Sequence, residues 1–311
     1  LALALCSAGL VLFAGYVIAT FRSDENRTVS NMAHLQIFRH GFPEKGIGNP
    51  AAYTIDDYDT LRAELLADPE LAPLIEVVTG QLLFTGLASE ARTSASAAFV
   101  GMGVVPAEYA TIAEWNPYRL VRPQDLAVNP LIYRAAPDVD ETDPDGGALG
   151  IGLARVLGIR LTGEDDPKNA LAPQPEPPST TSSSESAGDL PNFAALEAAT
   201  TASAAAPSDS SLAGRPTIEL LCQPRTGGIP NVSSLGVRSL KNCATERLDE
   251  CLVTMPLSHA SALLFPGEPP RVNAVLLLLH RTEDVDAAVA RIRERLQRDH
   301  PDLECRTWIE L

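Results

Sequence analysis

The sequence predicts an α+β domain hung from one N-terminal membrane helix, and three observations carry that reading. Residues Leu1 to Phe21 form an apolar run without charge or proline, the last 95 residues alternate strand and helix patterns, and a stretch rich in Pro, Ser, Thr and Ala separates two foldable parts. The expected division is 1–21 membrane helix, 22–163 first part of the domain, 164–216 disordered linker and 217–311 second part.

The run LALALCSAGLVLFAGYVIATF leads directly into Arg22. At 1.5 Å per residue it makes a helix of about 31 Å, the thickness of the hydrocarbon core of a bilayer. A cleaved signal peptide would have a shorter apolar stretch and a small-x-small cleavage site, and Thr20-Phe21-Arg22 is not one. A lipoprotein signal would lipidate Cys6, but apolar sequence continues well beyond it. The first residue is Leu1 rather than Met, so the expectation is a piece of a larger membrane protein.

Beyond the span, Ala33 to Phe38 reads as a strand. Thr54-Ile55-Asp56 opens a helix whose Tyr58, Leu61 and Leu65 share one face. Glu76 to Leu87 and Ala95 to Val105 form a hairpin around Ser89-Glu90-Ala91-Arg92. Pro106 ends the second strand, a short helix follows near Ala107 to Ala113, and another runs from Ala148 to Leu157 with Gly158 as its cap. From Glu164 to Pro216 one aromatic residue, Phe193, is present. Such a stretch cannot bury enough apolar surface to offset its ordering entropy.

After it, Thr217 to Cys222 and Cys251 to Met255 read as strands, followed by a helix from Leu257 to Phe265. Val272 to Leu279 is almost wholly apolar, as a strand covered on both faces would be. Thr282 caps the next helix, whose Val285, Val289, Ile292 and Leu296 form one face, and Leu303 to Ile309 is the final strand. That order implies a sheet with helices on one face.

The chain of 311 residues carries 40 acidic and 24 basic side chains, a net charge of −16. Nucleic-acid binding is excluded as an expectation, because it needs a basic footprint to displace phosphate counterions. No GxSxG elbow, Walker loop or HExxH motif occurs. Gly101-Met102-Gly103 and Gly150-Ile151-Gly152 are read as turn or packing glycines, Asp138 to Asp145 as a solvated acidic loop, and Trp115 and Trp308 as core anchors. No cofactor and no metal site is expected. Of the five cysteines, Cys222, Cys243, Cys251 and Cys305 follow the span. A bridge between Cys243 and Cys251 competes with four unpaired thiols.

Taken in order, the apolar span, MAHLQIFRHGFPEKG, VTGQLLFTGLASEARTSASAAFVGMGV, GALGIGLARVLGIRL, ERLDECLVTMPLSHASALL, EDVDAAVARIRERL and ECRTWIEL resemble the extracytoplasmic core of ABC-transporter permeases of the lipoprotein-releasing (Lol-type) and macrolide-exporting (MacB-type) superfamily. The resemblance implies a split βα core subdomain and a smaller, mainly β subdomain. It implies a permease subunit of the bacterial inner membrane, with residues 22–311 on the periplasmic or extracellular side. Cytoplasmic ATP hydrolysis, by a separate ATPase subunit or domain, would move the spans and through them this domain, so the chain itself is not an enzyme. Implied partners are that ATPase, a second permease protomer in a homo- or heterodimer, membrane lipid, and a periplasmic carrier or outer-membrane partner. Gly227-Gly228-Ile229-Pro230, with Arg225 before it, stands where lipoprotein-releasing relatives present a carrier-contacting turn. The basic residues that usually follow that turn are replaced here by Asn231, Val232, Ser233 and Ser234. The competing reading is a single-span, membrane-anchored protein whose periplasmic domain binds a ligand or partner. A membrane-anchored hydrolase is a third reading, to be sought through a histidine.

Overall fold

The computed structural model describes residues 2–46, 48–119, 139–160, 215–223, 230–241 and 246–311. The side chains of residues 2–6, 8 and 246 are outside that description. The linker expected at 164–216 lies outside it too, except for Arg215 and Pro216.

Among the described residues nine strands form one mixed sheet with helices packed on it. In chain order they are β1 (Leu35–Arg39), β2 (Ile75–Glu90), β3 (Ala95–Val104), β4 (Gly146–Gly150), β5 (Thr217–Cys222), β6 (Asn231–Lys241), β7 (Leu252–Pro256), β8 (Ala274–Leu279) and β9 (Leu303–Thr307). The helices are α1 (Ala2–Met32), α2 (Phe42–Lys45), α3 (Tyr58–Ala67), α4 (Pro106–Ala113), α5 (Ile151–Leu157), α6 (Glu246–Asp249), α7 (Leu257–Leu264) and α8 (Val285–Asp299).

One end of the sheet runs β2-β8-β1-β9, all antiparallel. With α3 joining β1 to β2 and α8 joining β8 to β9, this is the split βαβ arrangement of ferredoxin-like folds. Strand β8 shows why the sequence there is a continuous apolar run. Val275, Leu277 and Leu279 enter the main core with Leu61 and Leu65 of α3 and Val289, Ile292 and Leu296 of α8. Leu276 and Leu278 face the other way, into a second cluster with Val29, Ala33, Ile112 and Trp115. All six residues of the strand are buried, as expected. The expectation of helices on one face is corrected here: the end of α1, and Ile112 of α4, cover the second face, since apolar side chains on both sides of β8 need cover.

At the other end, long β2 pairs β3 along Gln81–Glu90 while its far half also meets β5. From β3 the ladder continues through β7, β4, β6 and β5 back to β2, closing a ring of six strands. Phe84 and Phe99 meet edge to face inside it, 5.7 Å between ring centres. That explains Gly101, where a Cβ would lie 2.3 Å from the Phe84 ring. It is a packing glycine.

The hairpin is in register, but its turn comes later than expected, because β2 extends to Glu90 and pairs it with Ala95. Three other expectations change. Residues 148–150, expected to open a helix, belong instead to β4, which completes the ring between β6 and β7. Helix α5 then begins where the Asp249 carboxylate accepts the Ile151 and Gly152 amides at 3.1 and 2.7 Å, while Gly158 ends it in the left-handed region as expected. Thr282 does not cap α8, which follows a short 3-10 turn over Thr282–Asp284. Strand β6 was not anticipated, because NVSSLGVRSLK places only Leu235 and Val237 in the core among many polar residues.

The outer edge of β9 is closed chemically. Arg293 Nε donates to the Cys305 carbonyl at 3.0 Å, Glu310 accepts the Thr307 amide at 2.8 Å, and the two side chains pair with each other. Blocking an edge strand with charged side chains suppresses pairing with other chains.

Candidate functional site

A chain of polar contacts lies where α1 meets the sheet. Helix α1 carries exposed Leu10, Val11, Leu12, Phe13, Tyr16 and Phe21, each at least 66% exposed. It then continues without a break to Met32, so the residues after Phe21 form a rigid stalk of about 16 Å. Among the described residues no helix is long and apolar enough to cross a membrane.

Ala33 ends the helix with φ 59°, a left-handed conformation that costs a residue with a Cβ about 1–2 kcal/mol. The neighbours hold it there. The Ala33 amide bonds the Val29 carbonyl at 2.8 Å, the His34 amide bonds Leu277, and the Trp308 amide bonds the His34 carbonyl at 3.0 Å. The chain therefore enters the sheet from α1 beside the place where β9 leaves it.

His34 is fully buried and edge-on to Trp115, 4.8 Å between ring centres. Its Nδ1 accepts the Leu279 amide at 3.1 Å, which places the ring proton on Nε2. Nε2 then donates to Thr282 Oγ1 at 3.1 Å, and Thr282 donates to Glu25 Oε1 at 2.6 Å. Tyr118 donates to the same carboxylate, 3.0 and 2.9 Å from its two oxygens, and Arg22 lies 5.0 Å from the Tyr118 ring centre. Burial lowers the His34 pKa from 6.5 to about 4, so the ring is neutral at pH 7. Burial and then the bond to Glu25 raise that of Tyr118.

The chain of contacts runs from Arg22 and Glu25 on α1 through Thr282 to His34 and β8. Hydrogen bonds to a charged group contribute about 1.5–3 kcal/mol each, and a buried partner left alone costs about as much. These contacts tie the helix to the sheet. No sequence pattern marks them, for Glu25 and Thr282 are 257 positions apart.

The sequence-designated residues lie elsewhere. Strands β5 and β6 form a hairpin with Cys222 opposite Asn231, and Gly227-Gly228-Ile229-Pro230 falls in its connection. Pro230 is half-buried, while Arg225, Gly227, Gly228 and Ile229 lie outside the described residues. The base of the hairpin is anchored to α7, because Asn231 Nδ2 donates to the Leu263 carbonyl at 2.8 Å. Cys243 also lies outside the described residues, and the Sγ of its expected partner Cys251 is 3.1 Å from the Arg247 carbonyl. Cys222 and Cys305 are buried thiols; burial pushes Cys305 up to about 12 and Cys222 upward as well, which makes both unreactive. Of the acidic loop, Asp140 and Asp143 pair with Arg238, and Asp143 with Arg215. Trp115 is buried as expected. Among the described residues no group of His, Cys, Asp and Glu is arranged to hold a metal.

No protein-family model matches the sequence, and no curated protein matches it. Two solved structures are similar in fold at 9% identity. The extracellular domain of the noncanonic ABC-type transporter YknZ from Gram-positive bacteria gives a TM-score of 0.42, covering 88% of this chain and 98% of that one. The periplasmic region of MacB from Actinobacillus actinomycetemcomitans gives 0.41, covering 91% of this chain and 92% of that one.

Proposed function

We propose that this chain is the first span and extracytoplasmic domain of an ABC-transporter permease. In this reading α1 acts as a lever that carries movement from the membrane into the domain. The observation that carries it is the continuity of α1 from its exposed apolar half into the Glu25–Thr282–His34 connection. A mere anchor could end in a flexible tether, whereas a force-transmitting element needs a helix without a break and a fixed attachment. The family resemblance in the order of sequence motifs points the same way.

ATP hydrolysis belongs, in this account, to a cytoplasmic ATPase partner, and a second permease protomer completes the transporter. The domain stands outside the bacterial inner membrane and does mechanical work on export or lipoprotein release. The turn Gly227-Gly228-Ile229-Pro230, with Arg225 before it, is the candidate contact for a carrier or outer-membrane partner. A tagged full-length gene product, purified from membranes in mild detergent, tests the assignment. Co-purification of an ABC ATPase, with three further spans after Leu311 in the reading frame, supports it. A stop codon after Leu311 and no associated ATPase would leave the single-span binding protein instead.

A further inference from the structure

At the base of the β5–β6 hairpin three side chains from three elements meet in a serine–histidine–aspartate arrangement. Ser233 Oγ of β6 is 3.0 Å from His259 Nε2 in the first turn of α7. His259 Nδ1 is 3.3 Å from Asp145 Oδ1, just before β4. The His259 side chain is 7% exposed and that of Asp145 37%. Ser233 is half-buried.

The proton positions follow from the partners. A carboxylate only accepts, so Nδ1 carries the ring proton and Nε2 presents its lone pair to the Ser233 hydroxyl. This is the tautomer in which a histidine removes a proton from serine while a carboxylate holds the ring and stabilises the imidazolium that forms. Burial lowers the His259 pKa against the opposing pull of Asp145, so the ring is neutral and able to act as a base at pH 7. Unlike the buried thiols, Ser233 is only half-buried, and its hydroxyl meets a histidine nitrogen.

We infer that Ser233 is a nucleophile for small activated carboxylic or phosphonic esters, with His259 as its general base and Asp145 as a positioning residue. This is a second activity, independent of the transport reading. In the acyl case the Ser233 Oγ–carbon bond forms as the ester C–O bond breaks. The serine proton passes to His259 Nε2 and from there to the departing alcohol. Water then attacks the acyl-serine by the same route and releases the acid.

The test uses the full chain in detergent and a fluorophosphonate probe. Attack by Ser233 Oγ on phosphorus expels fluoride, and the proton on His259 is released to solvent. Mass spectrometry of the unmutated protein should place the adduct on Ser233, with labelling that speeds up as pH rises through the depressed His259 pKa and levels off above it. Ser233→Ala should abolish labelling, Ser234→Ala should leave it unchanged, and His259→Gln should slow it by about 100-fold or more. Asp145→Asn should slow it and alter the pH profile, because the amide can hold the wrong tautomer. No adduct on the unmutated protein, an adduct at another residue, or a rate indifferent to His259→Gln would overturn the inference and mark the trio as a hairpin brace.

Discussion

The two ends of the sheet solve the same burial problem in different ways. In the β2-β8-β1-β9 end, both faces need helices, and one of the covering elements is the end of α1, so whatever moves that helix acts on the core. In the six-strand ring the sheet closes on its own side chains, around Phe84 and Phe99, and α5 and α7 are short additions. On the proposed reading the first end would take up movement of α1, and the second would hold the hairpin in place. That contrast predicts that damage near α1 loosens the β2-β8-β1-β9 end and leaves the ring intact, whereas changes at the hairpin stay within its own connection.

The largest effect is expected from Val289→Asp on α8. Val289 is 8% exposed in the main core, and an unpaired carboxylate there should cost about 3–5 kcal/mol, read as a large drop in denaturation midpoint. An unchanged midpoint would show that α8 does not seal the sheet. Next comes pH. Because the folded pKa of His34 is about 4 against 6.5 unfolded, the unfolded chain binds more protons between those values. Stability that is complete above pH 6.5 should therefore be lost as pH falls towards 4, by about 3 kcal/mol. His34→Gln should flatten the slope in that interval; an unaltered slope would assign it to the carboxylates.

Glu25→Ala sharpens the comparison. It strands the hydroxyls of Tyr118 and Thr282 and should cost about 1–3 kcal/mol. Proteolysis at Arg22 and Arg27 should rise while the ring stays protected, and equal protection throughout would refute a distinct junction. The smallest effect is expected from deleting Asp166 to Ala213. Its composition offers no core, so the melting temperature should stay within a few degrees, and a large drop would reveal hidden packing.

What the sequence disclosed follows from the range of the signal. Periodicity located α3 and α8, paired β2 with β3, and marked β8 as covered on both faces, all from neighbouring residues. Strand β6 escaped because its partners rather than its own side chains define it. Residues 148–150 resembled the start of a helix because Ala-Leu-Gly has no β signature, and only the need to complete the ring makes them extended. The Glu25, Thr282 and His34 site was illegible for a stronger reason: its members come from opposite ends of the chain and each is ordinary by itself. The same holds for Ser233, His259 and Asp145. At the hairpin connection the glycines and proline were legible as a turn, while its role was not, since a turn has the same composition with or without a partner.

The central claim is that α1 and the domain move as one body. Spin labels introduced by Ser23→Cys on the exposed stalk and Ala290→Cys on α8, in a background without the other reactive cysteines, measure it by pulsed electron resonance in the reconstituted full-length complex. The account predicts one narrow distance distribution, the same with and without ATP, that broadens on Glu25→Ala. A distribution that is broad from the start, or that shifts when ATP binds, would contradict it and make α1 a tether rather than a lever.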